Sequence, residues 1–469
     1  MADHRLFMAP SEHLEEERFE SYANDLGDSP DTQTLLELSD KLNVRFLRLV
    51  FFDIHGTPKN IELPRSQFKK AFDGEIMFDG SSIAGYVKIE ESDMLLVPDL
   101  TTFRVYPGGN PEARMAHLYC WVRRPLTGER FDGDPRGCLK RQADKAGEMG
   151  FEMVTGVEAE FFLFALGEDG LPEVNFSDHA AYFDVPPTDR ASVARREMMT
   201  TLEALGMEVE AGHHEVAESQ HEINFRFGPC VQTADNLATF KFVVKNIALK
   251  HGLHATFMPK PLFGANGSGM HTHQSLMQDG ENIFHDPSAP LELSQTMLYY
   301  IGGLMEHAGA ITAITNPIVN SYKRLVPGYE APVNIAWSQR NRSVMVRVPD
   351  QRGMGTRLEA RIPDPSCNVY LSLAVQLAAG LDGIKTRRDP GEAMDINVWK
   401  LTAGAREALG VGTLPGNLGE AINALSASPV ITDALGSHIT DNFLSIKREE
   451  WREYIAFVSR WEVDRYLEV

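Results

Sequence analysis

The chain of 469 residues is 43% apolar and 24% charged, and its 66 acidic and 45 basic side chains leave a net charge of −21. That length exceeds a single hydrophobic core, so two or three domains are expected. The acidity argues against non-specific binding to nucleic acid or to an anionic membrane.

Residues 1–40 are acidic, and MADHRLFMAPSEHLEEERFE lacks the apolar core of a secretory signal. The segment TLLELSDKL reads as a weakly amphipathic helix leading into a first strand. VRFLRLVFFDIHG and KNIELP then read as strands joined at a turn around His55 and Gly56. After the loop MFDGSSIAGYVKIEESDMLLVPD, rich in Gly, Ser and Asp, the strand MAHLYCWVRRP closes a first domain. Turn chemistry followed by a helix in GERFDGDPRGCLKRQADKAGEMGFE places the boundary near 134–136. The second part mixes strands with helices at 190–206, 233–251, 290–314, 366–386 and in the last 75 residues. An α+β architecture with those strands gathered into one sheet is expected. VYLSLAVQLAAGLDGI is short for a membrane span and carries Gln376 and Asp382, so it reads as a buried helix. Cys120, Cys138, Cys230 and Cys367 are far apart and form no CxxC pair. Neither a disulfide framework nor a zinc site is expected, and a reducing cytoplasm is the expected location.

Strand alternation carries the chemistry. In GVEAEFFLF, Glu158 and Glu160 share one face while Val157, Ala159 and Phe161 take the other. HEINFRF likewise groups Glu222, Asn224 and Arg226 against Ile223, Phe225 and Phe227. MHTHQSL groups His271, His273 and Ser275, RLEARIP groups Arg357, Glu359 and Arg361, and SVMVRVP turns Arg347 away from Val346 and Val348. One such strand is an ordinary solvated face; five carrying Glu, His and Arg favour a polar cleft, with a large sheet wet on one side as the alternative. With Glu215 of GHHEV these residues offer oxygen ligands, few nitrogens and no sulfur, a set suited to Mg²⁺ or Mn²⁺. Carboxylates crowd together only around positive charge, so more than one metal is expected. Arg324, Arg342, Arg347, Arg357 and Arg361 suit phosphates and a carboxylate substrate. No GxxxxGK[ST] occurs, and GANGSGMH, lying before a strand, reads either as a tight turn or as a loop that lets backbone approach a small ligand.

The order of MFDGSSIAGY, VEAEFF, HHEVAESQHE, FGANGSGMHTH, NSYKRLVPGYEAP, RNRS and RLEARIPDP resembles glutamine synthetases of the bacterial type I class, closest to the non-adenylylated alpha subclass. The resemblance runs from about residue 40 to the C-terminus. Residues 1–40, outside the resemblance, read as a partly helical N-terminal extension; the resemblance implies a small β-grasp domain over 41–135 and a large catalytic domain over 136–469 with a curved antiparallel half-barrel sheet flanked by helices and a C-terminal helical segment. The implied activity is ligation of ammonium to glutamate, with ATP activating the γ-carboxylate as an acyl phosphate. One implied metal site uses Glu160, Glu215 and Glu222, the other Glu158, His271 and Glu359. Glutamate contacts carry over to Glu160, Asn266, Gly267, Arg324, Glu330, Arg342 and Arg361, and Glu330 lies in the flap that excludes water. Nucleotide contacts carry over to Glu210, His273, Ser275, Arg342, Arg347 and Arg357. Asp79 matches the aspartate that binds ammonium and takes its proton, Asp93 lines the same entrance, and Ser82, Tyr182 and Glu215 complete the pocket. The resemblance further implies a dodecamer of two hexameric rings with active sites between subunits.

Some positions depart from the family pattern. Trp399 stands where one subclass carries an adenylylated tyrosine, and Lys88 where the alpha subclass uses an arginine for feedback inhibition by glutamine. Glu218 and Ser219 replace the usual Pro-Gly or Ala-Gly, and Met354 falls where some members carry lysine. The rival readings are a paralogue ligating glutamate to an organic amine, a non-catalytic relative, and an unrelated metal-dependent hydrolase or kinase.

Overall fold

The computed structural model describes residues 26–27, 29–86, 92–108, 110–175, 178–329, 331–341, 343–395, 404, 406 and 409–469. Lys88, Glu330, Arg342 and Trp399 lie outside the described residues.

The first unit opens on α1 (Thr32–Lys41), whose N-cap Asp31 accepts from Thr34 N and whose Leu35 and Leu38 are buried. Its strands are β1 (Val44–Phe52), β2 (Pro58–Pro64), β3 (Ile76–Asp79), β4 (Asp93–Pro98), β5 (Arg104–Val105) and β6 (Arg114–Arg123), with the short helix α2 (Phe68–Phe72) between β2 and β3. They form one mixed sheet in the order β2-β1-β6-β4-β3, in which β1 and β6 run parallel. Leu47, Leu49, Phe51, Phe68, Leu96, Phe103 and Leu118 fill the core beneath it. The β1–β2 turn falls at His55–Gly56, as the sequence predicts. Gly56 has φ +80°, and a Cβ there would meet Asn368 Cα at 2.8 Å, so glycine is required where the first unit touches the second.

The second unit begins with α3 (Pro135–Glu148), capped by Asp134 with Pro135 in the first turn. Its strands are β7 (Glu152–Ala159), β8 (Phe161–Ala165), β9 (Val209–His214), β10 (Gln220–Phe225), β11 (Gly228–Pro229), β12 (Leu253–Thr256), β13 (Met270–Gln278), β14 (Glu281–Asn282), β15 (Asn334–Ser338), β16 (Val344–Arg347), β17 (Leu358–Ala360) and β18 (Gly412–Thr413). Around them lie α4 (Ser192–Ala204), α5 (Cys230–Lys250), α6 (Gln295–Glu306), α7 (Ala308–Thr315), α8 (Ser321–Arg324), α9 (Val369–Thr386), α10 (Leu418–Ser426), α11 (Pro429–Leu435), α12 (Ser437–Ala456) and α13 (Arg460–Tyr466). The helix expected over 290–314 is two, divided at His307.

The strands do not make a single hydrogen-bonded sheet. One ladder runs β12-β8-β10-β9 and the other β11-β7-β13-β17-β16-β15-β18, with β14 on β13. The division falls at Glu160, between β7 and β8, where the backbone leaves the β7 ladder and Glu160 N donates to Gly269 O. The strand expected through Arg226 and Phe227 is also shorter: β10 ends at Phe225, exposed Arg226 pairs with Glu208, and Phe227 is exposed.

Helix α9 is buried along almost its whole length, and no described helix is long and apolar enough to cross a membrane. Its N-cap Asn368 donates to the carbonyls of Asp53 and Ile54, tying it to the first unit. A second tie is Arg136, stacked on Trp121 at 3.7 Å and donating to Asp99 and Asp235 at 2.8 Å each. All four cysteines are buried and free.

Candidate active site

Alternation on β7, β13 and β17 does what the sequence predicts: Val157, Ala159, Met270, Thr272, Leu358 and Ala360 are buried, and the ionisable side chains face a shared cleft. They gather in two clusters.

In the first, Glu160, Glu215 and Glu222 come together. Glu160 Oε2 accepts from Gly269 N at 2.8 Å and from Gln220 Nε2 at 2.9 Å. His213 lies between the other two, with Nδ1 3.5 Å from Glu215 Oε1 and Nε2 3.5 Å from Glu222 Oε1. Burial, reinforced by the charges of Glu215 and Glu222, holds the Glu160 carboxyl well above the usual carboxylate range. Burial opposes protonation of His213, yet the hydrogen bond to Glu222 and the two carboxylates raise it. His213, Glu215 and Glu222 have donor atoms within 4.8 Å of one another, and the carboxylate oxygens fit a hard divalent cation.

In the second cluster, His271 Nδ1 stands 3.5 Å from both Glu158 Oε2 and Glu359 Oε1. His273 joins it, and Glu158, His273 and Glu359 also have donor atoms within 4.8 Å of one another. Arg357 donates to His273 Nδ1 at 3.2 Å, so the ring proton sits on Nε2 and is given to Glu158 Oε1 at 2.9 Å. With Nδ1 accepting and the Nε2 proton given to Glu158, His273 offers a cation no lone pair in this arrangement. Glu359 accepts from Arg347 at 2.6 Å and from Arg361. Burial opposes its ionisation, but the Arg361 charge, with His271, His273 and Arg347, pulls its pKa down to about 2. Burial likewise opposes ionisation of Glu158, and the hydrogen bonds from His271 and His273 hold it far below the carboxylate range.

Two recesses flank these clusters. A cavity of about 540 Å³ is lined by Glu158, Glu210, His273, Ser275 and Arg357 together with Phe227, Gln351 and Met354. All the described residues expected at the nucleotide except Arg347, which stands on Glu359, meet there. A smaller recess of about 40 Å³ is lined by Glu160, Glu215, Asn266, Gly267, Arg324 and Arg361, together with Tyr329 and Ala331. The Gly-rich loop is more than a plain turn: a Cβ on Gly267 would meet Pro259 O at 2.5 Å, and one on Gly269 would meet Arg324 Nη2 at 2.7 Å. Buried Arg324 donates to the carbonyls of Arg361 and Ile362 at 3.1 and 2.8 Å.

The ammonium candidates do not all converge. Tyr182 stacks on Phe183 at 3.9 Å and lies edge-on to His213 at 5.6 Å, which puts it over the first cluster. Asp79, Asp93 and Ser82 instead lie exposed in the first unit, where Asp79 and Asp93 face each other across the β3–β4 ladder. Asp79 accepts from Ser81 N at 2.8 Å, and its hydrogen bonds to Ser81 lower its pKa. Glu218 does not join the carboxylate clusters by pairing with them; its Oε2 lies 3.1 Å from His179 Nδ1. Ser219 has φ +66°, the left-handed backbone that a glycine would adopt without strain. Sequence reasoning missed His213 and Gln220. The signal was present, since His213 is a strand neighbour of the ligand pair and Gln220 shares a β10 face with Glu222.

Comparisons with known proteins bear on this arrangement. Residues 43–125 match the glutamine synthetase β-grasp domain and residues 132–466 the glutamine synthetase catalytic domain. The glutamine synthetase of Thermus thermophilus is 55% identical over 429 residues, 91% of this chain and 96% of that protein. That of the archaeon Methanosarcina mazei is 50% identical over 93% of this chain and 97% of its own length. Among solved structures, a GmaS/ADP complex (conformation 1) aligns with a TM-score of 0.84 at 33% identity, covering 93% of this chain and 99% of that one. GmaS without ligand aligns with a TM-score of 0.82 over the same shares. A β-grasp domain followed by a half-barrel sheet flanked by helices is the fold shared with these relatives. The chain belongs to the glutamine synthetase family and is a ligase of that family.

Proposed function

We propose that this chain makes glutamine by ligating ammonium to the γ-carboxylate of L-glutamate, with ATP as the activating nucleotide. The observation that carries this reading is the crowding of Glu160, Glu215 and Glu222 beside a cavity lined by Glu210, His273, Ser275 and Arg357. Mg²⁺ or Mn²⁺ held by Glu160, Glu215 and Glu222 and by Glu158, His271 and Glu359 would neutralise phosphate charge and polarise the transferred phosphoryl group. ATP occupies the larger cavity with Arg357 and Ser275 beside it, and Arg342 and Arg347 meet the charge that develops on the phosphoryl group. Glutamate occupies the smaller recess, its main-chain groups on Asn266 and Gly267 and its carboxylates near Arg324 and Arg361. Attack of the γ-carboxylate on the terminal phosphorus forms γ-glutamyl phosphate and releases ADP. Glu330 in its flap keeps water from that mixed anhydride. Ammonium gives a proton to Asp79, the ammonia so formed attacks the acyl carbon, and phosphate leaves as the added nitrogen loses a second proton to give the amide.

Since Asp79, Asp93 and Ser82 lie on the first unit, they serve a neighbouring copy's Tyr182 and Glu215, in a homo-oligomer built as a dodecamer of two hexameric rings in the cytoplasm. Lys88 and Trp399 remain the positions where regulation departs from that of relatives.

The second reading, ligation of glutamate to an organic amine, is motivated by Glu218 and Ser219. It is weakened because Glu218 is turned to His179. Phosphate release measured with glutamate, ATP and Mg²⁺ decides between them: ammonium is expected to support turnover and a panel of organic amines is not. Turnover with an amine alone would replace the first reading by the second.

A further inference from the structure

A histidine immediately precedes each of Glu215 and Glu222: His214 ends β9, His221 lies on β10, and the two are paired across the ladder, on the face opposite that of Glu222 and His213. His214 and His221 are fully buried on the reverse face, their rings edge-on at 4.8 Å. Two hydrogen-bonded groups meet at that ring contact, and His221 Nε2, buried beside His214, has no hydrogen-bond partner. Asp189 accepts from Arg195 at 2.5 Å, and Arg195 Nη1 donates to His221 Nδ1 at 2.9 Å. His214 Nε2 faces Asp178 Oδ1 at 3.2 Å, while its Nδ1 meets the backbone carbonyl of Glu215 itself at 2.7 Å. Asp178 Oδ1 also accepts from Ser219 N at 2.9 Å, closing the turn between the two ligands.

Asp178, His214 and His221 have donor atoms within 4.8 Å of one another, so a third cation is the first idea to test. The hydrogen bonds speak against it. Arg195 can only donate, so His221 accepts at Nδ1 and holds its proton on Nε2. Both nitrogens of His214 face oxygen acceptors and so both carry protons. Neither ring offers a cation a lone pair. Buried charge of this kind is costly where packing alone is needed, and the neighbouring Phe161, Phe225 and Phe240 show that apolar side chains fill this region.

We propose that Asp178, His214, His221 and Arg195 form a brace that fixes Glu215 and Glu222 relative to one another and so sets the divalent-cation affinity of the first cluster. Asp178 and His221 are positioning residues in it. The brace grips the Glu215 carbonyl through His214, the 215–222 turn through Ser219, and the segment bearing Tyr182 through both Asp178 and Asp189. It rests on the reading that Glu160, Glu215 and Glu222 hold a cation.

Mn²⁺ titrations of the metal-stripped, fully assembled protein, followed by electron paramagnetic resonance without substrates, test it. Asp178→Asn keeps an acceptor for Ser219 N and removes the charge facing His214. It is expected to weaken one class of Mn²⁺ site by about 10- to 100-fold, as loss of a group supporting a ligand does, with the other class unchanged; the metal-free melting temperature falls with the lost buried pair and is not the readout. Arg195→Lys, which keeps the ion pair to Asp189 and gives up the second N–H to His221, is expected to weaken the same class less, and it decides the matter if Asp178→Asn does not assemble. Unchanged Mn²⁺ affinity in the assembled variants, even with lower melting temperatures, would overturn the brace. Loss of one whole Mn²⁺ equivalent with the remaining affinities intact would also overturn it, since Asp178 would then be a ligand. Wild-type protein that binds no Mn²⁺ would instead remove the reading on which the brace rests.

Discussion

Replacing Glu359 by Gln keeps the side chain's shape and removes its charge, which isolates what the carboxylate does. Glu359 is 1% exposed and is the common acceptor for Arg347 and Arg361. Its pKa falls from 4.5 to about 2 although burial pushes the other way. That difference corresponds to about 3 kcal/mol of preference for the ionised form in the folded protein. Breaking a buried ion pair by removing one partner costs a similar amount, about 3–5 kcal/mol. Urea unfolding in EDTA near neutral pH should therefore place Glu359→Gln about 3 kcal/mol below wild type. The sign with pH follows from a depressed folded-state value: the contribution is present above the unfolded pKa of 4.5 and is lost as pH falls toward about 2. The gap between the two proteins should then be flat from about pH 5 to 8. Saturating Mn²⁺, at about 100 times the dissociation constant, should add about 2.7 kcal/mol for each intact site, and the variant should lack the share of one site. A gap under about 1 kcal/mol in EDTA, or one that closes between about pH 6 and 8, would refute the electrostatic account of this cluster.

Two further outcomes follow from the same geometry. If Asp79 serves a neighbouring copy, Asp79→Ala and Glu222→Ala chains should each be inactive alone, yet regain part of the activity when assembled together, because mixed interfaces contain intact sites; no recovery in a mixed oligomer would show that both residues act within one chain. Gly267→Ala places a methyl 2.5 Å from Pro259 O and should raise the KM for glutamate at least about tenfold while leaving that for ATP within about twofold, since the Gly267 recess and the larger cavity have separate linings. Equal changes in both would mean that the loop supports the whole cleft.

Much of the site was legible because a strand has a period of two. Glu158, His271 and Glu359 lie on strands whose apolar alternates are buried, and their convergence needs only that β7, β13 and β17 be neighbours, which they are. Glu160 was legible as a charge but not as a chain break, because the run VEAEFF carries no Gly or Pro and the division is imposed by Gly269 from across the ladder. The face of Arg226 failed for a related reason: alternation predicts which way a residue points only while pairing lasts, and β10 stops at Phe225. His213 and Gln220 went unread although their spacing from the glutamates was in view, because the pairing of His213 with Glu222 across the β9–β10 ladder is not written in either strand alone.

The Asp79–Asp93 pair shows what period-two reasoning leaves out. Like charges set directly across a ladder destabilise it, and these two face each other on the edge strand β3 and its neighbour, both exposed. Exposure makes the repulsion weak, because water screens it. The pair is then a mild local cost in one chain and a concentrated negative surface toward anything that approaches. Tyr182 and Glu215 belong to the other unit and present an aromatic ring beside carboxylates. In the proposed assembly, bringing the two surfaces together would add acidic groups to acidic groups, and cations between them would offset the repulsion. On the proposed function one of those cations is the ammonium substrate itself, which the chain attracts by leaving Asp79 and Asp93 without a basic partner among the described residues. On that proposal glutamate activation and ammonia delivery lie on different units, and product would form only once copies assemble.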